Sequence, residues 1–516
     1  MRRALSILPR LTRENASQVF SRAGVSALTA SSSVITTRRE GIRNSPAYVS
    51  FIEPEQKMSA PGFVQFARFS TQSEAPQPAQ PKVSSASGVK KLLDIPIEDL
   101  TNATVFVRVD FNVSYDKVRD EATGKTTYTV SHDSSARILE SLPTIRHLID
   151  CGAKVVLASH LSDPGKKGIT IDSPPEARAP YSLAPVAQAL SGLLQTEVKM
   201  APDCIGPETA EMVAKLQPGQ VLLLENVRFH AGEQANDPKF AQAIQDTVKA
   251  TAFVNDAFGT AHRAHASVIG VAPLIQGHRA AGVLMAKELK YLDGIFQTPR
   301  KEGDGPIGAL LGGAKVSSKL PVITHLLNRV QTLAIGGAMA LPFVRASGYC
   351  AGVCEEPEEA TEIARQVLAQ SKEKNVNLIL PVDYVVASSF SENPDDVKVV
   401  AATEIPPNYY ALDIGPKTCE LISDAFANCS AVVWNGPVGR FEWPKFATGT
   451  KSVIHILSQL PCATVAGGGE TSTAIEQLRE PGVLEPSFTH VSTGGGASLE
   501  VLKGKTLPAL KVLDKV

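Results

Sequence analysis

Two histidines flank an arginine in FVNDAFGTAHRAHAS (253–267), just after an apolar run that ends in Asn255 and Asp256. His262 and His265 are three apart, which suits two ligands on one helical face, but no third ligand of the right kind follows, so a metal centre is not expected there. Arg263 between them points to an anion, because a guanidinium fork matches phosphate or carboxylate oxygens two at a time. Arg137, His160, Arg228 and His230 carry similar chemistry in the same half of the chain, which is therefore expected to hold a small, multiply charged anion. A net charge of -1 and a pI near 6.8 give no global field for nucleic acid or an anionic membrane, and no aromatics interleave with the basic residues. The anion site must be a local pocket.

The second half offers glycine-rich turns instead: LGGAKV (311–316), IGGAMA (335–340), AGGGETSTA (466–474) and STGGGAS (492–498). Glycines ahead of a helix let backbone amides approach a pyrophosphate, and the helix dipole favours its charge. Neither G-x-x-x-x-G-K-[ST] nor a proper G-x-G-x-x-G, placed after a strand and opening a helix, occurs, so the signal lies in the set: one turn carries Lys315, another is followed by Glu470 and Thr471. Together they read as a nucleotide site with a magnesium-binding carboxylate. An anion site opposite a nucleotide site implies phosphoryl transfer on closure, with Lys315 and Arg137 neutralising the oxygens of the moving group. A carboxylate acceptor would need no general base, and none is evident.

These residues need a scaffold. Short apolar runs alternate with helical-period segments: TVFVRVDF (104–111), AKVVLASH (153–160), VLLLEN (221–226), ATAFVNDAF (250–258), PIGALLGG (306–313), TLAIGG (332–337), NLILPVD (377–383), AVVWNG (431–436), ATVAGGG (463–469) and FTHVSTGGG (488–496). Near-continuous apolarity predicts parallel strands buried on both faces. SARILESLPTIRHLID (135–150) has the period of an amphipathic helix, and HRAAGVLMAKELKYLDGIF (278–296) reads as a long connecting one. The expected class is α/β, two doubly wound parallel-sheet lobes joined by a long helix and hinge. Polar residues gather where strands stop: Asp110 and Asn112, His160, Glu225 and Arg228, Asn255 and Asp256, Lys315, Asn435 and the glycines at 467–469 and 494–496. The carboxyl ends of parallel strands form the ligand crevice.

The front of the chain differs. Eight arginines sit among serines and threonines before residue 50, where Glu14 and Glu40 are the only acids, a transit-peptide composition; ARFSTQ (67–72) resembles a mitochondrial processing site. Mitochondrial import is expected, with plastid import as the alternative. The seven cysteines are scattered and odd in number, which argues for free thiols, and no stretch is apolar enough to span a membrane. The expected organisation is a transit peptide over 1–75, a Pro/Ser linker over 76–89, an anion-binding lobe over 90–277, an interlobe helix over 278–298, a nucleotide-binding lobe over 299–489, and a segment over 490–516.

In order across residues 90–516, RVDFNV, LLLENVRFHAGE, VNDAFGTAHRAHAS, LGGAKV, LPVD, LDIGPKT, VVWNGPVG and HVSTGGGASLE resemble the motifs of the phosphoglycerate kinase family. The resemblance implies reversible transfer between the acyl phosphate of 1,3-bisphosphoglycerate and MgADP, giving 3-phosphoglycerate and MgATP, in a hinge-bending monomer. It places the triose-phosphate site at Asp110, Asn112, Arg137, His160, Arg228 and Arg263, with His262 close by, and the catalytic cations at Arg137 and Lys315. Lys319 and Asn435 would meet nucleotide phosphates, Glu442 the ribose, Ala411 the adenine slot, Glu470 magnesium, and Gly468, Gly469 and Thr471 the phosphate tail. The segment after Thr493 would return to the first lobe. The partners implied are small-molecule substrates, with no nucleic acid or membrane.

Several positions depart from the family pattern. HLSDP stands for His-Leu-Gly-Arg-Pro, so Asp163 replaces an arginine that grips the distal phosphate, and Ser162 replaces a glycine. Weak substrate binding should follow unless Lys166 and Lys167 compensate. Ala338 and Ala411 replace glycines of the adenine slot, Leu341 and Pro342 alter its surroundings, Ser318 replaces an aspartate, Arg440 a small apolar residue, and Glu470 an aspartate one methylene shorter. These departures leave a non-catalytic binding or regulatory protein as the alternative reading.

Overall fold

The computed structural model describes residues 88–119, 126–131, 135–297, 303–479 and 487–516; the transit peptide expected over 1–75 lies outside the described residues. Two six-stranded sheets dominate. The first runs, edge to edge, Val198–Met200, Val221–Leu223, Lys154–Ala158, Thr104–Arg108, Ala252–Asn255 and Arg279–Ala281, parallel throughout. The second runs Asn377–Ile379, Thr332–Ile335, Ile307–Leu311, Ala431–Asn435, Ala463–Ala466 and His490–Val491, again parallel.

Alternate residues of each strand point to opposite faces, and here both faces are apolar. Val105 and Val107 pack with Val155, Leu157, Leu223 and Val254 on one face of the first sheet, while Phe106, Val156, Leu222 and Phe253 pack on the other. That second core continues through Met285, Leu289 and Leu292 to Ala309, Leu311, Leu333 and Val433 of the second sheet. One apolar body thus joins the two halves, and the helix Val283–Leu292 runs through it.

This connecting helix is shorter than the pattern over 278–296 predicts. Arg279–Ala281 is instead the edge strand of the first sheet, so the sheet extends past the expected boundary at 277. Gly282 makes the change of direction possible, because a Cβ there would stand 2.2 Å from Asp256 Oδ1. The strand expected over 488–496 is only His490–Val491. A three-stranded antiparallel sheet, Val397–Ala401, Asp383–Ala387 and Tyr410–Ile414, was not expected at all. NLILPVD does not continue through Pro381: one strand ends at Ile379, and Asp383 begins another while accepting the Lys417 and Thr418 amides at the start of the helix Pro416–Phe426 (3.1 and 2.9 Å).

Two polar clasps tie the halves. His490 Nε2 lies 2.8 Å from Glu288 Oε2, fully buried; Thr493 donates its N–H to Glu288 Oε1 (3.1 Å) and its hydroxyl to Glu140 Oε2 (2.9 Å) on the helix Ala136–Asp150. Residues at the far end of the chain lie on the first sheet: Lys90 N–H donates to Asp514 O, Asp514 N–H to Arg279 O and Val516 N–H to Gly88 O, and Asp514 pairs with Arg279 at 2.8 Å. No helix among the described residues is long and apolar enough to cross a membrane.

Candidate active site

Four neighbouring strands of the first sheet stop along one edge, which brings the loops after them together. Asp110 follows the first, and its Oδ2 accepts from Arg137 Nη1 at 3.0 Å. His160 follows the second and stands 3.9 Å from Asp110 Oδ1, to which the Asn112 N–H donates at 3.2 Å. Asn112 Oδ1 accepts the Ser162 N–H (2.7 Å), fixing the loop that carries Asp163. Burial and the arginines Arg108, Arg228 and Arg137 push His160 well below the usual imidazole range, overriding the pull of Asp110. It is therefore neutral at neutral pH. Burial raises Asp110, but neighbouring cations, Arg137 and Arg108 among them, outweigh it and hold the carboxyl below its ordinary value.

Arg228 decides the character of this pocket. It is 7% exposed, its Nη1 donates to Ser162 O, and its Nε and Nη2 are buried without a hydrogen-bond partner. Buried guanidinium donors are normally satisfied, so these two call for an anion. Burial, with Arg263 and Arg108, lowers Arg228 to about 10, still charged at neutral pH. Arg263 lies at the exposed rim, its Nε 3.4 Å from His262 Nε2. Burial and Arg263 hold His262 below the ordinary value; burial and Arg228 bring His265 down to about 4.

Sequence reading passed over Arg108, whose signal was an arginine inside an otherwise apolar strand. It is fully buried, donates Nε to Ser267 Oγ (2.8 Å) and Nη1 to Val109 O, and lies 3.3 Å from His160 Nδ1 through Nη2. Glu233, also fully buried, accepts from the Ser267 hydroxyl (2.6 Å) and balances it. Arg108 thus stands behind His160 with its charge offset by Glu233.

Other expected members turn away. Glu225 accepts from the Ser182 hydroxyl (2.7 Å) and the Leu183 N–H (2.9 Å), anchoring a loop. Asn255 and Asp256 are fully buried: Asn255 Oδ1 accepts the Ala257 N–H, and Asp256 Oδ1 accepts the Met285 N–H. His230 faces Asp203 (Nε2 to Oδ1, 2.6 Å) and stacks on Phe240. Asp203, Cys204 and His230 form the one metal-like trio among the described residues. Burial and nearby acids raise the Cys204 thiol far above its ordinary value, and it donates to Glu225 O (3.0 Å), so the trio is a hydrogen-bonded clasp.

On the second sheet the glycine turns follow the strands Ile307–Leu311, Thr332–Ile335, Ala431–Asn435 and Ala463–Ala466. Some glycines serve packing: a Cβ on Gly312 would stand 2.1 Å from Pro437 O, and one on Gly468 would stand 2.6 Å from Asn435 Nδ2. Gly469, by contrast, has open space where a side chain would project. Thr471 is fully buried; its Oγ1 donates to Gly467 O (2.9 Å) and accepts the Gly436 N–H (2.7 Å), so the hydroxyl is consumed within the protein. Asn435 donates to Gly467 O (2.6 Å) and accepts from Lys319 Nζ.

Lys315 caps the start of the helix Val316–Leu326, exposed and held in no ion pair among the described residues; the Ser318 hydroxyl returns to its carbonyl (2.8 Å). Glu470 is likewise exposed, in the first turn of the helix Gly469–Gln477. Both it and Gly313 line a cavity of about 190 Å³ whose wall includes Ala338, Leu341, Ala411, Leu412 and Glu442. The two alanines line this slot without closing it.

The loops after the first sheet's strands therefore offer buried guanidinium donors without a partner among the described residues, and those after the second offer a slot lined by the Glu470 carboxylate, with Lys315 next in the chain after its Gly313 and Ala314. A profile described as phosphoglycerate kinase matches residues 94–505. The chain belongs to the phosphoglycerate kinase family. It is 43% identical over 429 residues to the phosphoglycerate kinase of Microcystis aeruginosa, covering 83% of this chain and 99% of that one. The chloroplastic phosphoglycerate kinase of Volvox carteri is 44% identical, covering 83% and 86%. Among solved structures, phosphoglycerate kinase from Coxiella burnetii superposes with a TM-score of 0.68 at 33% identity, and that from Pyrococcus horikoshii with 0.64 at 30%; each comparison covers 82% of this chain and 98% of the other.

Against the phosphoglycerate kinase pattern, Asp163 does not stand alone. Its Oδ2 meets Lys166 Nζ at 3.0 Å and Gln234 Nε2 at 3.4 Å, while Oδ1 is buried without a partner. Lys167 turns instead over the Tyr181 ring (5.4 Å). The compensation expected of both lysines falls to Lys166, which neutralises Asp163 directly.

Lys319 gives a pH prediction. Burial lowers its ammonium to about 8, against the opposing pull of Glu470. Below that pH the lysine is charged and ready for a phosphate; above it, binding must first take up a proton. MgADP affinity, followed by titration calorimetry, should be flat from pH 6.5 to 7.5 and fall by up to about tenfold per unit above 8. Lys319→Arg should flatten that decline, and a wild-type profile flat to pH 9.5 would rule the lysine out.

Proposed function

We propose that this chain transfers a phosphoryl group reversibly between the acyl phosphate of 1,3-bisphosphoglycerate and MgADP, giving 3-phosphoglycerate and MgATP. The buried Nε and Nη2 of Arg228, without a hydrogen-bond partner among the described residues and close to His160 with Arg137 and Asp110, support the anionic substrate most directly. The slot beside Lys315, Lys319 and Glu470 supports the nucleotide.

In the kinase direction a carboxylate oxygen of 3-phosphoglycerate attacks the γ-phosphorus, the bond to the β,γ-bridging oxygen breaks, and ADP leaves. The attacking carboxylate is already ionised, so the protein positions and neutralises, without abstracting a proton. Asp110 orients the Arg137 guanidinium, and Lys315, in no ion pair among the described residues, meets the equatorial oxygens. Glu470 offers the hard oxygen that magnesium prefers, one carboxylate beside nucleotide phosphates, and the ion would offset phosphate charge. Lobe closure about residues 283–292 and 490–493, by a monomer, completes the reading.

A coupled assay of the full chain with 3-phosphoglycerate and MgATP tests it: turnover is expected, and nucleotide binding without turnover would replace the kinase reading by a binding protein. Residues 1–75 are proposed as an import leader to the mitochondrion, supported by their arginine-rich, acid-poor composition. Fused ahead of a fluorescent protein, residues 1–90 should direct it there; plastid fluorescence, as the chloroplastic relative would favour, would redirect the proposal, and a cytosolic signal would end it.

A further inference from the structure

Lys90 is seated by its backbone from both sides. Its N–H donates to Asp514 O (2.8 Å) and its carbonyl accepts the Ala281 N–H (2.9 Å), so the residue lies between the end of the chain and the edge strand Arg279–Ala281. Its side chain meets His278, the residue just before that strand: Nζ stands 3.0 Å from His278 Nδ1. The other ring nitrogen, Nε2, stands 2.9 Å from Asp99 Oδ2 on the short helix Ile97–Leu100. The His278 carbonyl accepts the Phe253 N–H (2.8 Å), which holds the backbone that carries the ring. His278 precedes its strand whereas Asp110 and His160 follow theirs, so in this parallel sheet the trio lies at the opposite end from the anion pocket.

The tautomer follows from the partners. A carboxylate only accepts, so Nε2 carries the proton; Nδ1 then turns its lone pair to Lys90, which only donates. Lysine and aspartate could pair directly, yet here an imidazole stands between them and links them in a line of amine, base and orienting carboxylate. That is the arrangement by which a weak side-chain nucleophile is activated. Solvent reaches it, since the side chains of His278 and Asp99 are 29% and 48% exposed and Lys90 is half-buried.

We propose that Lys90 is a modification site, a nucleophilic amine that takes an acyl group from a small acyl phosphate or thioester. The ammonium gives one proton to His278 Nδ1, and Asp99 offsets the imidazolium that forms. The freed lone pair attacks the acyl carbon, the bond from that carbon to the leaving oxygen or sulfur breaks, and a second proton leaves with the phosphate or thiol. One N–H remains on the new amide, and His278 returns its proton to solvent. Acylation also removes the positive charge that Lys90 places near Asp514, the partner of Arg279.

The test incubates the full chain with acetyl phosphate in one arm and acetyl-CoA in the other, and follows each lysine by quantitative peptide mass spectrometry. Lys215, 71% exposed and paired with Glu211, is the reference amine. Lys90 should react at least about tenfold faster than Lys215, a modest share of what a positioned base supplies. H278Q keeps a donor for Asp99 and removes the basic nitrogen facing Lys90, so its Lys90 rate should fall to that of Lys215. D99N, which keeps the size and removes the charge, should lower the rate severalfold, and carries the test if H278Q does not fold. Reaction in one arm alone supports the site and names its donor. A Lys90 rate short of tenfold over Lys215 in both arms, or one unchanged by these substitutions, overturns the proposal.

Discussion

Lys315→Ala should lower kcat by about a thousandfold, the scale of a lost transition-state charge contact, while moving the melting temperature by no more than about 2 °C. The asymmetry follows from where the lysine sits. It is exposed at the start of the helix Val316–Leu326, pairs with no carboxylate among the described residues, and supports nothing by packing. Removing it takes away a partner that the phosphoryl group needs only in flight, so KM for both substrates should change little. Arg137→Ala should behave differently. It too should cut kcat steeply, but it also strips Asp110 of its 3.0 Å partner and leaves a largely buried carboxylate facing the substrate's charge. KM for 3-phosphoglycerate should therefore rise with it. Steady-state kinetics beside a thermal melt check both, and a Lys315→Ala enzyme within tenfold of the wild-type kcat would remove that lysine from the mechanism.

Asp163→Arg should improve substrate binding. A unit charge about 5 Å from a phosphate is worth roughly 3 kcal/mol at an effective dielectric near 20. Lys166, 81% exposed at its side chain, already offsets the carboxylate, and solvent screens that pair. The net gain is therefore about tenfold to thirtyfold in KM for 3-phosphoglycerate, short of the full Coulomb figure. Lys166→Ala should move KM the other way by severalfold, since it leaves Asp163 bare beside Arg228. Opposite signs from the two variants are the signature of a neutralised intruder, and an unchanged KM in Asp163→Arg would show that the position does not face the phosphate.

Much of this architecture was legible because parallel strands buried on both faces must be apolar at every position, and Thr104–Arg108, Lys154–Ala158 and Ala431–Asn435 nearly are. Chemistry then collects at their ends by geometry, which is why Asp110, His160, Arg228 and Lys315 stood out. What stayed hidden depends on distant partners. The helical period over 278–282 gave no sign that Asp514 and the ladder with Ala252–Asn255 would draw Arg279–Ala281 into a sheet. Val397–Ala401 is exposed on most of its length and pairs only at an edge, so its pattern resembled a loop. Thr471, Glu225 and His230 have the right chemistry for a site, but their neighbours in space use it up. Arg440 was visible as an unusual residue; its packing beside the Phe390 and Trp443 rings and its place in the slot were not.

The pairing of Gly88 and Lys90 with residues 514–516 sets an order on synthesis. The margin of the first sheet where those strands meet stays unfinished while a chain is still on the ribosome, because the residues that seal it are made after the whole second sheet. A newly made molecule therefore leaves that margin of its first sheet unpaired until its last residues are made.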